Sequence, residues 1–201
     1  MSDHGSVSTD ARTPGAIRAV LTETRDSLRS VFGNPHLKRL QLAYVGSLVG
    51  DLVYATAVSV WAYTVGGTTL VGIWLAVRLA VLMVMSPIMA GLADKYPKKV
   101  LLLTADLSRA VIVAAMTVTM LAHQTVLTLV LGALVTILGG VFRPAQMSWT
   151  PALARTPAEL TASNGTSSTF ESLGFFVGPA LGGLLITLWN VEVALAFNVV
   201  T

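Results

Sequence analysis

Five ionisable side chains stand inside long apolar stretches of this chain: Asp51, Arg78, Asp106, Arg109 and Glu171. A charge at the centre of a hydrocarbon slab costs about 2.5–3.5 kcal/mol or more, so each must face protein, water or an opposite charge. Asp106 and Arg109 are three residues apart and share a helix face, which makes them candidates either for a structural ion pair or, like Arg78, for a counter-charge or a contact to a bound molecule. Three carboxylates against two guanidinium groups leave one negative charge over, and a buried carboxylate finds relief by taking up a proton. Asp51 and Glu171 are thus the candidates for a proton or cation site, Asp51 first, with Arg78 as a counter-charge or a contact for a bound molecule. Each has a plainer alternative: Asp51 as a hydrogen-bonded structural acid, Glu171 as a bond across a helix interface.

Other chemistries lack their residues. There is no nucleophile elbow, no G-x4-G-K-S/T phosphate loop, no cysteine, and only His4, His36 and His123, far apart in sequence. No enzymatic activity, cofactor or metal site is expected.

The elements that must hold the five charges are membrane spans. Hydrophobic residues make up 54% of the 201 and charged residues 11%, against about 25% charge in a soluble domain, and mean hydropathy is +0.73. A span needs roughly 20 mainly apolar residues, and the sequence predicts spans at about 40–65, 70–93, 99–122, 125–142 and 162–189, with a partial sixth at 193–201. Asp51 then lies about 16 Å along its helix from Leu40 and Glu171 about 14 Å past Ala162, both near the midplane. Gly66-Gly67-Thr68 and His123-Gln124 read as tight hairpins on one side, with longer charged links on the other. Thr156-Pro157-Ala158-Glu159 has capping-box spacing, so the fifth helix is expected to start near Pro157. Trp61, Tyr63, Trp74 and Trp189 are expected to belt the interface.

Residues 1–36 are a polar lead-in. Over 14–32 the residues Ile17, Val20, Leu21, Leu28 and Val31 recur at helical spacing, with Arg18, Arg25 and Arg29 among them. This is either an amphipathic helix on an anionic leaflet or a cytosolic segment that packs on the bundle.

Basic residues sort by side. Arg12, Arg18, Arg25, Arg29, Lys38 and Arg39 precede the first span, Lys95, Lys98 and Lys99 follow the second, and Arg143 and Arg155 follow the fourth. The opposite hairpins carry none, which predicts a cytoplasmic N-terminus in a multi-pass protein of the cell membrane. The small net charge of +3 therefore records orientation, and no nucleic-acid partner is expected.

Two motifs carry a resemblance. Ala90-Gly91-Leu92-Ala93-Asp94-Lys95-Tyr96-Pro97-Lys98-Lys99, with Leu102 beyond, resembles the pattern G-x-L-a-D-r-x-G-r-r/k-x-x-l of the loop between helices two and three in the major facilitator superfamily, with Ala90 and Pro97 in place of its glycines. Gly174, Gly178, Pro179, Gly182 and Gly183 resemble the G-x3-G-P-x2-G-G core of its drug–proton antiporters, with Ser167 where a further glycine is usual. Phe142-Arg143-Pro144-Ala145, Pro151, Pro157 and Asn164 are similar to the branch of siderophore and macrolide exporters. The arginine that many proton-coupled members carry in helix four is absent, since 125–142 hold no charge.

The resemblance implies an all-α membrane protein of twelve helices in two six-helix halves, of which this chain is the N-terminal one. The loop bearing Gly91, Asp94, Lys95, Lys98 and Lys99 would gate it. The expected function is secondary active export of small amphipathic or drug-like molecules by proton antiport and alternating access. The expected partners are the lipid bilayer, the substrate, protons and the missing C-terminal half. A lysophospholipid or lipid flippase, or a membrane anchor or sensor of a larger regulatory protein, are the alternatives.

Overall fold

Two adjacent glycines make the first reversal of the chain. In the computed structural model, which describes Arg25 and residues 28–200, helical structure runs over Pro35–Lys95 but is interrupted at Gly66 (φ −140°, ψ 16°) and Gly67 (φ 63°, ψ −158°). The second of these conformations is open to glycine alone. The segments 35–65 (α1) and 68–95 (α2) fold back on each other, which puts the rings of Tyr54 and Trp74 edge to face at 6.5 Å between centroids. In one straight helix these residues would stand about 30 Å apart.

The remaining helices are α3 (Lys98–Leu121), α4 (Thr125–Gly139), α5 (Phe142–Leu153), α6 (Pro157–Leu188) and α7 (Val191–Val200). Pro35–Lys95, Lys98–Leu121, Thr125–Leu153 and Pro157–Leu188 are each long and apolar enough to cross a membrane, and each half of the first exceeds the roughly 20 residues a crossing needs. Leu107, Val111, Phe176, Met83 and Val126 stand exposed on the outside, an apolar surface suited to lipid tails.

The hairpin at His123-Gln124 is as tight as expected, with His123 at φ 55° and the Gln124 N–H donating to the Thr119 carbonyl at 2.9 Å. The charged link between α2 and α3 is shorter than expected, only Tyr96 and Pro97. The fourth crossing also departs from the expected boundary at 142. Gly139 and Gly140 break the helix, and the chain then resumes as α5 to Leu153, so Arg143 and Trp149 belong to a helix and not to a loop. Pro144 sits in the first turn of α5, where its missing N–H leaves no bond unmade.

The fifth long helix starts at Pro157, with the Thr156 hydroxyl accepting from the Glu159 N–H at 3.1 Å. Residues 28–33 are helical, and Val31 is buried with Leu37 and Ala162. The rest of the amphipathic helix expected over 14–32, apart from Arg25, lies outside the described residues, as does Thr201.

Helix α6 lies along α1 in parallel. Gln41 meets Ser167 at an offset of 126 residues, and the same offset joins Leu48 to Gly174, Leu52 to Gly178 and Thr56 to Gly182. The glycines remove the side chains that would hold the two backbones apart. On the Gly66 side of Asp51 a core forms from Tyr54, Trp61, Trp74, Met116, Val135 and Leu195. This corrects the expected aromatic belt: Trp61 and Trp74 are interior, while Tyr63 and Trp189 are exposed. Trp74 fits because Gly132 of α4 has no side chain, and a Cβ there would lie 2.9 Å from its ring.

Candidate functional site

A polar stripe on α1 carries the site. Gln41, Tyr44, Ser47 and Asp51 recur at helical spacing and point inward. Each meets a polar residue of another helix.

At the middle of the bundle the Asp51 carboxylate forms an ion pair with the Arg109 guanidinium of α3. Arg109 is buried and also donates to the Ser47 hydroxyl at 3.4 Å. Gly139 at the α4 break lies alongside; a Cβ there would be 3.5 Å from an Asp51 oxygen and 3.7 Å from Arg109 Cζ. Asn198 of α7 approaches the same carboxylate, and Arg78 of α2 adds its field. Five helices thus converge on one acid.

A chamber opens on each side of that acid. One, of about 120 Å³, is lined by Asp51, Tyr54, Arg78, Thr136 and Gly139. The other, of about 140 Å³, is lined by Tyr44, Ser47, Asp51, Arg143, Glu171 and Phe175. Asp51 and Gly139 belong to both.

In the second chamber the Tyr44 hydroxyl donates to Glu171, and Arg143 of α5 pairs with the other Glu171 oxygen at 3.2 Å. Tyr44 stacks on Phe142 with ring centroids 6.1 Å apart. Below this, Gln41 donates to Ser163 and Ser167 at 2.9 Å each, and Gln146 of α5 donates to Ser167 at 3.1 Å. Ser167 therefore ties three helices together at a position where glycine would offer no hydroxyl.

Among the described residues the ion pairs are Asp51–Arg109 and Glu171–Arg143. The expected Asp106–Arg109 pair is not formed, because Arg109 turns inward to Asp51 while Asp106 sits on the exposed face of α3. Asp106 is thus left out of both pairs, and Arg143, counted beforehand as a loop residue, pairs with Glu171 from an exposed position on α5. Arg78 is in neither pair.

The loop residues remain at the surface. Asp94 and Lys95 are exposed, Lys98 Nζ lies 3.4 Å from the Asp94 carbonyl oxygen, and Lys95 lies 5.7 Å from the Tyr96 ring centre. Lys99 borders a groove of about 330 Å³ with His36, Arg39, Asp106 and Trp149. Gly91 and Gly183 have nothing packed where a Cβ would sit, and Pro179 is exposed beside a separate groove on α1 and α2.

At the end of the bundle where α1 begins, Asn34 joins three segments. Its side-chain oxygen accepts from the His36 N–H at 3.1 Å, while its amide donates to the Leu153 carbonyl and to Glu159, each at 3.0 Å. Glu159 also accepts from the Arg155 N–H at 2.8 Å. The Arg155 hydrogen bond, then the Asn34 one, holds the Glu159 carboxyl below its usual range.

Among the described residues no cluster of His, Asp and Glu could hold a metal ion. The family model described as Major Facilitator Superfamily matches residues 40–201. No curated protein and no solved structure matches the chain.

Proposed function

From the premise that this chain belongs to the major facilitator superfamily, and so is part of a multi-pass membrane transporter, we propose that it exports small amphipathic or drug-like molecules in exchange for protons. It works by alternating access, in a cell membrane, with the basic ends of its helices in the cytoplasm. A second set of helices of the same protein completes the transport path, which would give the twelve-helix fold.

The observation that carries this reading is the position of Asp51 between two chambers, in an ion pair with a different helix. Ionised, the carboxylate holds α1 to α3 through Arg109. Protonated, it releases Arg109 into a low-dielectric interior, where breaking a buried pair costs about 3–5 kcal/mol. That cost links the proton to the packing of two helices, and repacking of helices is how a transporter changes the side to which its cavity opens. Glu171 is the second candidate, since Tyr44 and Arg143 hold it in the chamber that adjoins Asp51. The loop around Asp94 acts as the gate between the two access states.

The test is flux in proteoliposomes of the full-length protein, with and without a pH gradient. Gradient-driven export of an amphipathic probe supports the reading. Gradient-independent lipid movement would favour a flippase, and absence of any flux an anchor or sensor.

A further inference from the structure

Among the described residues Arg78 is in no ion pair, and the Asp51 carboxylate that shares a chamber with it is paired with Arg109. Arg78 lies ten residues beyond the turn into α2, about 15 Å by helical rise, and so near the middle of a bilayer core. Its Nε is buried without a hydrogen bond. The two carboxylates nearest the centre are engaged by Arg109 and Arg143. A guanidinium at that depth calls for an anion.

Beside it runs a groove of about 510 Å³ between α1, α2 and α6, lined by Leu52, Thr56, Ser59, Tyr63, Arg78 and Pro179 among others. That volume is within the range of small-molecule sites. The groove is an apolar trough with one charged end. Two of its hydroxyl donors are engaged on their own helix, Thr56 with the Leu52 carbonyl at 2.9 Å and Ser59 with the Ala55 carbonyl at 2.7 Å. Arg78 is the charged group in its lining.

We propose that this groove binds an amphipathic acid, with the acidic head on the Arg78 guanidinium and the apolar body along α1 toward Tyr63. The proposal rests on the transporter reading and names a substrate class for it. The head group is a carboxylate, sulfonate or phosphate, all of which match the planar guanidinium. An amphipathic cation is disfavoured, since its charge would lie against Arg78.

Binding of octanesulfonate and octyltrimethylammonium to the full-length protein in phosphatidylcholine nanodiscs tests this. The sulfonate is expected to bind about tenfold or more tightly than the ammonium, as one charge-assisted contact would give. Arg78→Gln should remove that preference, and Arg78→Lys should keep most of it because the charge remains. Displacement of the sulfonate by lysophosphatidylglycerol below the concentration at which free sulfonate competes assigns the acid to a lipid; the reverse assigns it to a soluble molecule, and both support the site. Equal or tighter binding of the ammonium, wild-type sulfonate affinity in Arg78→Gln, or no binding of either probe overturns the proposal. Flux measured alongside separates the two claims. Sulfonate binding without flux removes the exporter and leaves the acid site; flux of the ammonium without sulfonate binding removes the site and leaves the exporter.

Discussion

Gly178 of α6 and Leu52 of α1 stand so close that a Cβ on the glycine would overlap the leucine Cβ. No rotamer change relieves such a contact, because both atoms are fixed to their backbones. Gly178→Ala is therefore expected to lower the thermal unfolding midpoint of the full-length protein. Overpacking by about 1–3 kcal/mol outweighs the roughly 1 kcal/mol gained from replacing a helical glycine. Gly165→Ala, on the same helix with nothing where the Cβ would go, should hold or raise the midpoint. Equal midpoints for the two variants would show that α1 and α6 do not touch at Gly178.

Asp51→Asn fixes the central acid in a neutral form of similar size. It should abolish export driven by a pH gradient and leave substrate binding measurable. It also strands Arg109, so the yield of folded protein should fall. Adding Arg109→Gln should recover yield without recovering gradient-driven flux. Normal gradient-driven flux per folded molecule in Asp51→Asn would move the coupling site to Glu171.

The Asn34–Glu159–Arg155 junction should respond to acid. Because the Glu159 carboxyl is held below its usual range when folded, its contribution is complete above the ordinary carboxylate value. It is lost as pH falls through the lowered folded value. Protection of the Arg155 amide against deuterium exchange should decline across that window, and Glu159→Gln should abolish this pH dependence. A wild-type protection factor that does not change with acid would mean that the carboxylate does not hold the junction.

Topology can be read by thiol labelling, since the sequence has no cysteine. Thr68→Cys and Gln124→Cys should react with an impermeant maleimide added outside intact cells. Lys98→Cys and Arg155→Cys should react only after permeabilisation. The opposite pattern would invert every assignment of side made from the basic residues.

Much of this bundle is written in one-dimensional signals. Apolar run length placed the long helices, Gly66-Gly67 and His123-Gln124 marked two reversals, and Thr156 with Glu159 marked a helix start, because each depends on local chemistry. Asp51, Arg109 and Glu171 were likewise conspicuous as charges in apolar runs. Their partners were not, since pairing is set by how helices rotate against one another. Asp106 and Arg109 are neighbours by spacing, yet the interior position of Arg109 gives it to Asp51. Arg143 was hidden because the expected span ended at 142 and the next residues were counted as a link, although the chain goes on as helix to Leu153. A stronger reading lay within reach: Gln41, Tyr44, Ser47 and Asp51 on one helix and Ser163, Ser167 and Glu171 on another fall on single faces. Paired polar stripes of that kind point to two helices that meet.

The glycine turn between α1 and α2 also bears on how the protein is made. No Asp, Glu, Lys, Arg or His lies between Asp51 and Arg78, and a two-residue reversal leaves little chain outside the helices, so the first pair of helices is suited to enter the bilayer as one hairpin during translation. Arg109 follows the end of that hairpin at Lys95 and so leaves the ribosome after it. Asp51 and Arg78, brought to a common chamber by the turn, are then the opposite charges available to each other. Arg78, which is in no ion pair among the described residues, is thus placed to escort the acid into lipid and to yield it to Arg109 when the third helix arrives.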